Sequence, residues 1–430
     1  MDHCARTPQW IRAQVGTVVE GVQGRAKAGG DTRWWSVECY HRRLQVQGVV
    51  AIREGGLMRL GIFHPSFEAV GGAELLATSQ LQHYRAQGAT PELITFGFDS
   101  SRWGKHLEGV PVHLVRKREW TDLFFGWSRL AKLRRRGVRA SRSLQDYDTV
   151  IAHNFPASAM LGAAPIRARK IWQCNEPPRG IHLRQANPTL TARLQATAGQ
   201  GEEDACGQFA KDLEIHDQAM KGETSVRARH AYDLESIGGL GLIYAISEFS
   251  RDNARAIYGR CREEVIYPIV RFPAGGRDRS GLERLVRRVL VHSRLEPFKN
   301  IDTVIRGFHT FQKASPVPCE LHVVGDGPLR NRLENLATEL CRAGSVQFHG
   351  YLPDADLRQV YEACDVLALL TLDEPFGMVY PEAAAKGLLL IGPDHGGPLE
   401  ILDGGEAGMD GGCLLSSGAC PGTRGGLEPG

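Results

Sequence analysis

The sequence predicts an α/β protein made of two parallel-sheet units joined by a linker. Short apolar runs alternate with helical segments from Met58 to about residue 405, the pattern of parallel sheets covered by helices on both faces. Most of these runs end in Gly, Ser, Asn, Glu or Asp, and ligands of open α/β sheets bind beyond the carboxyl ends of strands. A polar, Pro/Gly-rich break, YPIVRFPAGGRDRSG at 267–281, divides the pattern as an interdomain linker does.

The bulk numbers agree with two soluble domains. The chain has 430 residues, 42% hydrophobic and 23% charged, which is ample for two cores. A net charge of +3 is too small to point to nucleic acid. No run of eighteen apolar residues appears, and no apolar signal segment opens the chain, so the expected location is the cytoplasm. The 10 cysteines form no C-x-x-C pair and no zinc spacing with histidine, so they read as thiols in a reducing compartment, with no metal site.

Element by element, residues 1–57 show no sustained period and read as an unstructured extension. MRLGIF (58–63) opens the fold as a strand, followed by a glycine-rich turn and the helical LLATSQLQHYRAQG (75–88). PELITFGF, VPVHLV, DTVIAHN, RKIWQCNE and GLIYAISEF supply further strands of an N-terminal unit over 58–266. Within it, 183–236 reads as a helical insertion facing the cleft. After a linker at 267–285, RRVLVHSRL, CELHVVGDG, SVQFHGY, DVLALLTL and LLLIGPD form a C-terminal unit over 286–410. The glycine-rich stretch 411–430 has no apolar period and reads as disordered.

Four constellations carry chemistry. In TLDEPFGMVYPEAAAKG, a buried strand runs into a turn and then an Ala-rich helix. Phe376, Gly377, Met378 and Val379 lie where free backbone N–H groups collect an anion such as a diphosphate. Glu374 precedes that turn, and Glu382 follows where it can accept ribose hydroxyls; a capping acid and a surface glutamate would leave the same trace. In HSRLEPFKNI, Arg294 and Lys299 follow a strand and can converge on a diphosphate. Gly71 and Gly72 of GGAE allow close backbone approach to a ligand, a weak signal alone, as is GDGPLR at 325–330. His153 ends the strand DTVIAHN, where it serves either structure or the reacting centre. Glu176 and Arg179 of NEPPRG read as substrate contacts, and the acids of PDADL (353–357) as helix caps.

Taken in order, GGAE, DTVIAHN, NEPPR, SRLEPFKNI, VVGDGP, FHGYLPDADL, EPFGMVYPEAAAKG and GGPLEIL resemble the retaining GT-B glycosyltransferases of family 4 over about residues 58–405. The resemblance implies two Rossmann-like domains facing a cleft, with a nucleotide-sugar held mainly by the C-terminal one. It places Arg294 and Lys299 on the donor diphosphate, Glu382 on the ribose, and the backbone after Glu374 on the distal phosphate and sugar. Gly72 would face the diphosphate from the other domain, and the backbone around His349 and Gly350 would face the base. Glu374 and His153 would sit at the transferred sugar. The implied reaction is retaining transfer of a hexose, with mannose from GDP-mannose the candidate suggested by NEPPR, to a glycan or lipid-linked acceptor, without metal or cofactor. A GT-B epimerase and an inactive homologue are the alternatives. The departure is the C-terminus, where family members continue with further elements; this predicts a truncated C-terminal domain.

One further stretch concerns partners. Residues 116–142 carry ten basic and two acidic side chains, with Arg129, Lys132, Arg136 and Arg139 on one helical face. The expectation is peripheral contact with an anionic membrane holding the acceptor, against an ordinary solvated helix face.

Overall fold

The computed structural model describes residues 59–69, 71–115, 129–196, 205–222, 224–268, 286–402 and 412–415. The first unit runs β1 (Arg59–Phe63), α1 (Gly72–Ala86), β2 (Thr90–Thr95), α2 (Ser100–Trp103), β3 (Val112–Leu114), α3 (Arg129–Arg142) and β4 (Thr149–His153). It continues with α4 (Ala157–Ala163), β5 (Arg169–Cys174), α5 (Pro188–Ala196), α6 (Ala205–Lys221), α7 (Ser225–Ile237), β6 (Leu242–Ala245) and α8 (Glu248–Tyr258). Its sheet has the order β3-β2-β1-β4-β5-β6, every pair parallel. The central strands are sealed on both faces: all five residues of β4 are buried, which is why TVIAH carries no polar alternation before its terminal histidine.

The second unit runs β7 (Arg288–His292), a 3₁₀ turn (Pro297–Lys299), α9 (Ile301–Ala314), β8 (Glu320–Val324), α10 (Arg330–Leu340) and β9 (Val346–Gly350). It closes with α11 (Asp354–Ala363), β10 (Val366–Ala368), α12 (Val379–Ala385), β11 (Leu389–Pro393), α13 (Gly397–Leu402) and β12 (Gly412–Leu415). This sheet is also parallel throughout, ordered β12-β11-β10-β7-β8-β9. Two doubly wound parallel sheets are the architecture the sequence predicts.

The units share apolar surface. Leu76 of α1 and Ile246 after β6 belong to the same buried cluster as the core of the second sheet. Glu400 of α13 accepts the Glu248 and Phe249 amides at 2.9 and 3.0 Å, so a carboxylate of one unit caps a helix of the other. The helical insertion faces the second unit as expected: Leu190, Phe209 and Leu213 pack with Leu372.

Two expectations change. The tail from 411 was read as disordered, yet Gly412–Leu415 runs as an edge strand from Leu390↔Gly412 to Pro393↔Leu415. An edge strand draws its order from the backbone of its neighbour, so it needs no apolar period of its own. Residues 403–411 and 416–430 lie outside the described residues, as do 1–58 and, within the linker, 269–285. The acids of PDADL do not cap: Pro353 occupies the cap position of α11 without a side-chain bond, and Asp354 and Asp356 lie in the first turn. There they act on the helix dipole instead.

Glycines of the GDGP turn gain a structural reason. Gly325 sits at φ +121°, and a Cβ there would lie 1.9 Å from the Ser293 carbonyl oxygen. The Leu295 amide donates to the Asp326 carbonyl at 2.9 Å, so this turn is the seat on which the Arg294 loop rests. Gly325→Ala is expected to lower stability by about 1–3 kcal/mol through strain and displaced backbone. Thermal unfolding checks this, and an unchanged midpoint would contradict it.

Candidate functional site

The site forms where the strand ends of the two sheets meet. After β10, the chain stays buried through Leu372 and Asp373 and then turns at Glu374-Pro375-Phe376-Gly377. Gly377 takes φ +89°, and a Cβ there would come within 2.6 Å of the Tyr380 ring. Tyr380 is fully buried and its hydroxyl donates to the Leu369 carbonyl at 2.6 Å, which fixes the turn against the sheet. The helix begins at Val379, so Glu382 lies in its first turn. The Tyr380 amide donates to the Gly377 carbonyl at 3.1 Å, so among the described residues the amides left open are those of the turn residues Phe376, Gly377 and Met378 and of Val379.

Glu374 and Lys299 meet at 2.7 Å, each side chain about 15% exposed. Burial works against the Glu374 charge, but Lys299 beside it, with Arg179 and Arg294, outweighs that and holds the carboxyl below its usual range. Arg294 projects further out, 68% exposed and 2.8 Å from Glu296. Its charge acts on both Glu374 and Glu74 of α1, one from each unit. Gly71 is the cap residue of α1 with no side-chain bond, and Gly72 opens the helix. A Cβ on Gly72 would lie 3.8 Å from Met378 Cγ across the cleft. The structure therefore sets Gly72 against Met378, pairs Lys299 with Glu374, and puts Arg294 within electrostatic reach of Glu374 and Glu74, at the gap between the beginnings of α1 and α12.

Glu382 forms a second node. Its Oε2 is 3.5 Å from the Tyr361 hydroxyl, and that hydroxyl is 2.8 Å from His292 Nδ1. Burial pushes the Glu382 carboxyl up to about 7, against the small opposing effect of the Tyr361 hydrogen bond. Burial also pulls His292 down to about 4, so the histidine is neutral at pH 7. His349 stacks on His322, centroids 5.2 Å apart, at a cavity of about 370 Å³ that also involves Asp356 and Gln359. Gly350 takes φ +67° and accepts the Gly325 amide at 2.8 Å, which ties β9 to the GDGP turn.

His153 lies behind His64, ring centroids 5.9 Å apart, and His64 Nε2 is 3.9 Å from Glu74 of α1. His153 is fully buried, its Nε2 is 2.8 Å from Gln80 Oε1, and its Nδ1 has no partner among the described residues. Burial, helped by His64, holds it far below its ordinary pKa and thus neutral. Beyond it, Asn154, Phe155, Glu176, Ile181 and Arg229 line a cavity of about 220 Å³ at the ends of β4 and β5. Arg179, read from the sequence as a substrate contact, is spent inside the protein. It donates to Glu176 at 2.5 Å, to Asn187 at 3.1 Å and to the Asp373 carbonyl.

Sequence reasoning missed Asp373, which bonds to the amides of Thr189 and Leu190. Its signal was present only as an unexplained acid before Glu374, since its partners are 184 and 183 residues away. The basic face at 116–142 falls largely outside the described residues: 116–128 are not described, nor are the side chains of Arg129, Lys132, Arg136 and Arg139. Arg134, on the described part of α3, pairs with Glu235 at 2.8 Å.

Two facing doubly wound parallel sheets with their strand ends at a shared cleft define the GT-B fold. A solved lipopolysaccharide outer core galactosyltransferase, WaaB in its apo form, has the same architecture, with a TM-score of 0.54 at 16% identity, covering 84% of this chain and 87% of that one. Residues 278–411 match the profile of the family described as Glycosyl transferases group 1. The mannosylfructose-phosphate synthase of Agrobacterium fabrum is 33% identical over 138 residues, 30% of each chain. The GDP-mannose-dependent alpha-(1-6)-phosphatidylinositol monomannoside mannosyltransferase of Mycolicibacterium smegmatis is 35% identical over 137 residues, 30% of this chain and 35% of that protein. The chain thus spans about a third of the length of such curated relatives.

Proposed function

We propose that the chain is a retaining glycosyltransferase of family 4 that moves a hexose from a nucleoside-diphosphate sugar to a glycan or lipid-linked acceptor. The observation that carries this reading is the convergence of Lys299, Glu374 and Arg294 opposite Gly71 and Gly72. Two cations and two helix beginnings suit a diphosphate, and they strengthen as its charge grows on departure. In this reading Lys299 and Arg294 bind the diphosphate, with the amides of Phe376, Gly377, Met378 and Val379. Glu382 accepts the ribose hydroxyls, and the backbone at His349 and Gly350 meets the base.

Glu374 then faces the transferred sugar, where its negative charge favours positive character developing at the anomeric carbon. The bond from that carbon to the diphosphate oxygen breaks, and the acceptor oxygen attacks from the same face. The acceptor proton passes to the departing phosphate oxygen. No metal or cofactor is assigned, because the protein's own cations offset the leaving charge. His153, buried at the end of β4, would shape the sugar pocket through Gln80 and strand position rather than by proton transfer. The cavity beside Glu176 and Arg229 is the candidate seat of the acceptor.

The match at 278–411 supports the transferase class. The mannose in the names of the Agrobacterium and Mycolicibacterium relatives supports GDP-mannose as the first donor to try. A screen of nucleotide-sugars tests the reading: the transferase is expected to release nucleoside diphosphate when acceptor is supplied. Interconversion of free nucleotide-sugar without acceptor would instead favour an epimerase, and binding without turnover an inactive homologue.

The reading also includes cytoplasmic placement with peripheral contact to an anionic membrane through 116–142. Among the described residues no helix is long and apolar enough to cross a membrane. Co-sedimentation with anionic liposomes is expected to fall when Arg129, Lys132, Arg136 and Arg139 are changed to glutamine. Unchanged binding would remove the membrane contact from the account.

A further inference from the structure

Asp373 is fully buried at the residue before Glu374, in the left-handed backbone region at φ +53°. Its two carboxylate oxygens accept the Thr189 and Leu190 amides, at 2.9 and 3.0 Å. Those amides belong to the second and third residues of α5, the donors a local cap residue ordinarily satisfies. Asn187, the residue placed to do so, has its side-chain oxygen occupied by Arg179 instead. The cap of an insertion helix in the first unit is therefore supplied by the donor loop of the second.

The contact is reinforced on every side. Arg179 reaches the Asp373 carbonyl, lies 5.4 Å over the Phe298 ring, and holds Glu176 in the cavity wall. Phe298 accepts the Leu372 amide at 2.8 Å and adjoins Lys299, the partner of Glu374. Leu372 packs with Leu190. A buried carboxylate that caps a helix and shares a peptide unit with Glu374 cannot shift without moving both.

We propose that Asp373 is a positioning residue that clamps the acceptor-side insertion to the donor loop, so that nucleotide occupancy and the order of α5 are coupled. This rests on the reading that the gap around Lys299 and Glu374 binds a nucleoside diphosphate. An acceptor entering beside Glu176 would then meet Glu374 at a set distance only while the clamp holds. Breaking it would separate donor binding from readiness of the acceptor side.

Hydrogen exchange of the full chain, with GDP and UDP as probes, tests the coupling. In the wild type, whichever nucleotide binds is expected to slow amide exchange across 188–196 several-fold. In Asp373→Ala that slowing is expected to vanish while the nucleotide Kd stays within about threefold. Asp373→Asn, which keeps the side-chain volume, is expected to behave likewise and serves where the alanine variant fails to fold.

A cap with only a structural role would speed exchange of 188–196 with and without nucleotide alike and leave the slowing ratio intact, and that result would overturn the proposal. Binding of nucleotide to the wild type with no response at 188–196 would overturn it too. If neither nucleotide binds, the underlying reading falls, and the clamp loses its role with it.

Discussion

Lys299→Ala and Glu374→Gln are each expected to lower kcat for nucleoside diphosphate release by at least about tenfold, the scale of losing one preorganised charge partner in a site of this kind. The two substitutions act differently. Removing Lys299 takes a cation from the departing diphosphate and leaves Glu374 without its 2.7 Å partner. Removing the Glu374 charge leaves Lys299 in place and withdraws the field at the sugar. Donor affinity is therefore expected to fall more in Lys299→Ala, while Glu374→Gln is expressed mainly in kcat.

Stability gives an independent check on the same pair. Glu374 is held below the ordinary carboxylate range, so its stabilising contribution is present above the unfolded-state value of about 4.5 and is lost as pH falls through the lower folded value. In Lys299→Ala the opposing effect of burial is left without its main counterweight. The variant is expected to lose stability at neutral pH relative to pH 4, where the wild type does not. Steady-state kinetics and thermal melts across pH separate these effects, and wild-type rates in both variants would sink the site assignment.

Glu382 supplies the second large effect, with opposite sign. Its folded value of about 7 lies above the ordinary 4.5, so the folded apo protein holds that proton more tightly than the unfolded chain. The contribution is fully present below about pH 4.5 and is lost as pH rises through 7. Glu382→Gln is expected to stabilise the apo protein at pH 8, by on the order of 1–2 kcal/mol, with little change at pH 4.5. The same substitution is expected to weaken nucleoside diphosphate binding about tenfold at pH 8, because a carboxylate accepts ribose hydroxyls better than an amide. Between pH 6 and 8, nucleotide affinity should rise in the wild type and rise less in Glu382→Gln. An apo melting point unchanged at pH 8, with unchanged affinity, would remove Glu382 from the ribose role.

The alternation of strand and helix was legible because parallel strands buried on both faces have apolar centres, as VIA of β4 and LGIF of β1 show. The cluster at the gap was legible for a related reason. Gly71, Gly72, Arg294, Lys299 and Glu374 all follow strand ends, and topology alone brings strand ends together.

What stayed hidden depends on partners distant in sequence. Asp373 is unremarkable until Thr189 and Leu190 are placed against it, and Arg179 reads as a substrate contact until Asn187 and the Asp373 carbonyl take its donors. His153 reads at a strand end as serving either structure or the reacting centre, and the contact with Gln80 of α1 that buries it shows only once α1 is folded against β4. Gly325 looked like a fragment of a phosphate loop, whereas its bare Cα lets the GDGP turn press on the Ser293 carbonyl. A short edge strand such as Gly412–Leu415 is set by β11 rather than by its own composition.

The central claim is that the gap between the two sheets holds a nucleoside diphosphate between Arg294 and Lys299. Calorimetric titration of the full chain with GDP and with UDP tests it most directly. The account predicts that one of the two binds with one site per chain, and that Arg294→Ala and Lys299→Ala each weaken it by at least about tenfold. Absence of binding by both nucleotides, or equal affinity in wild type and both variants, would contradict it.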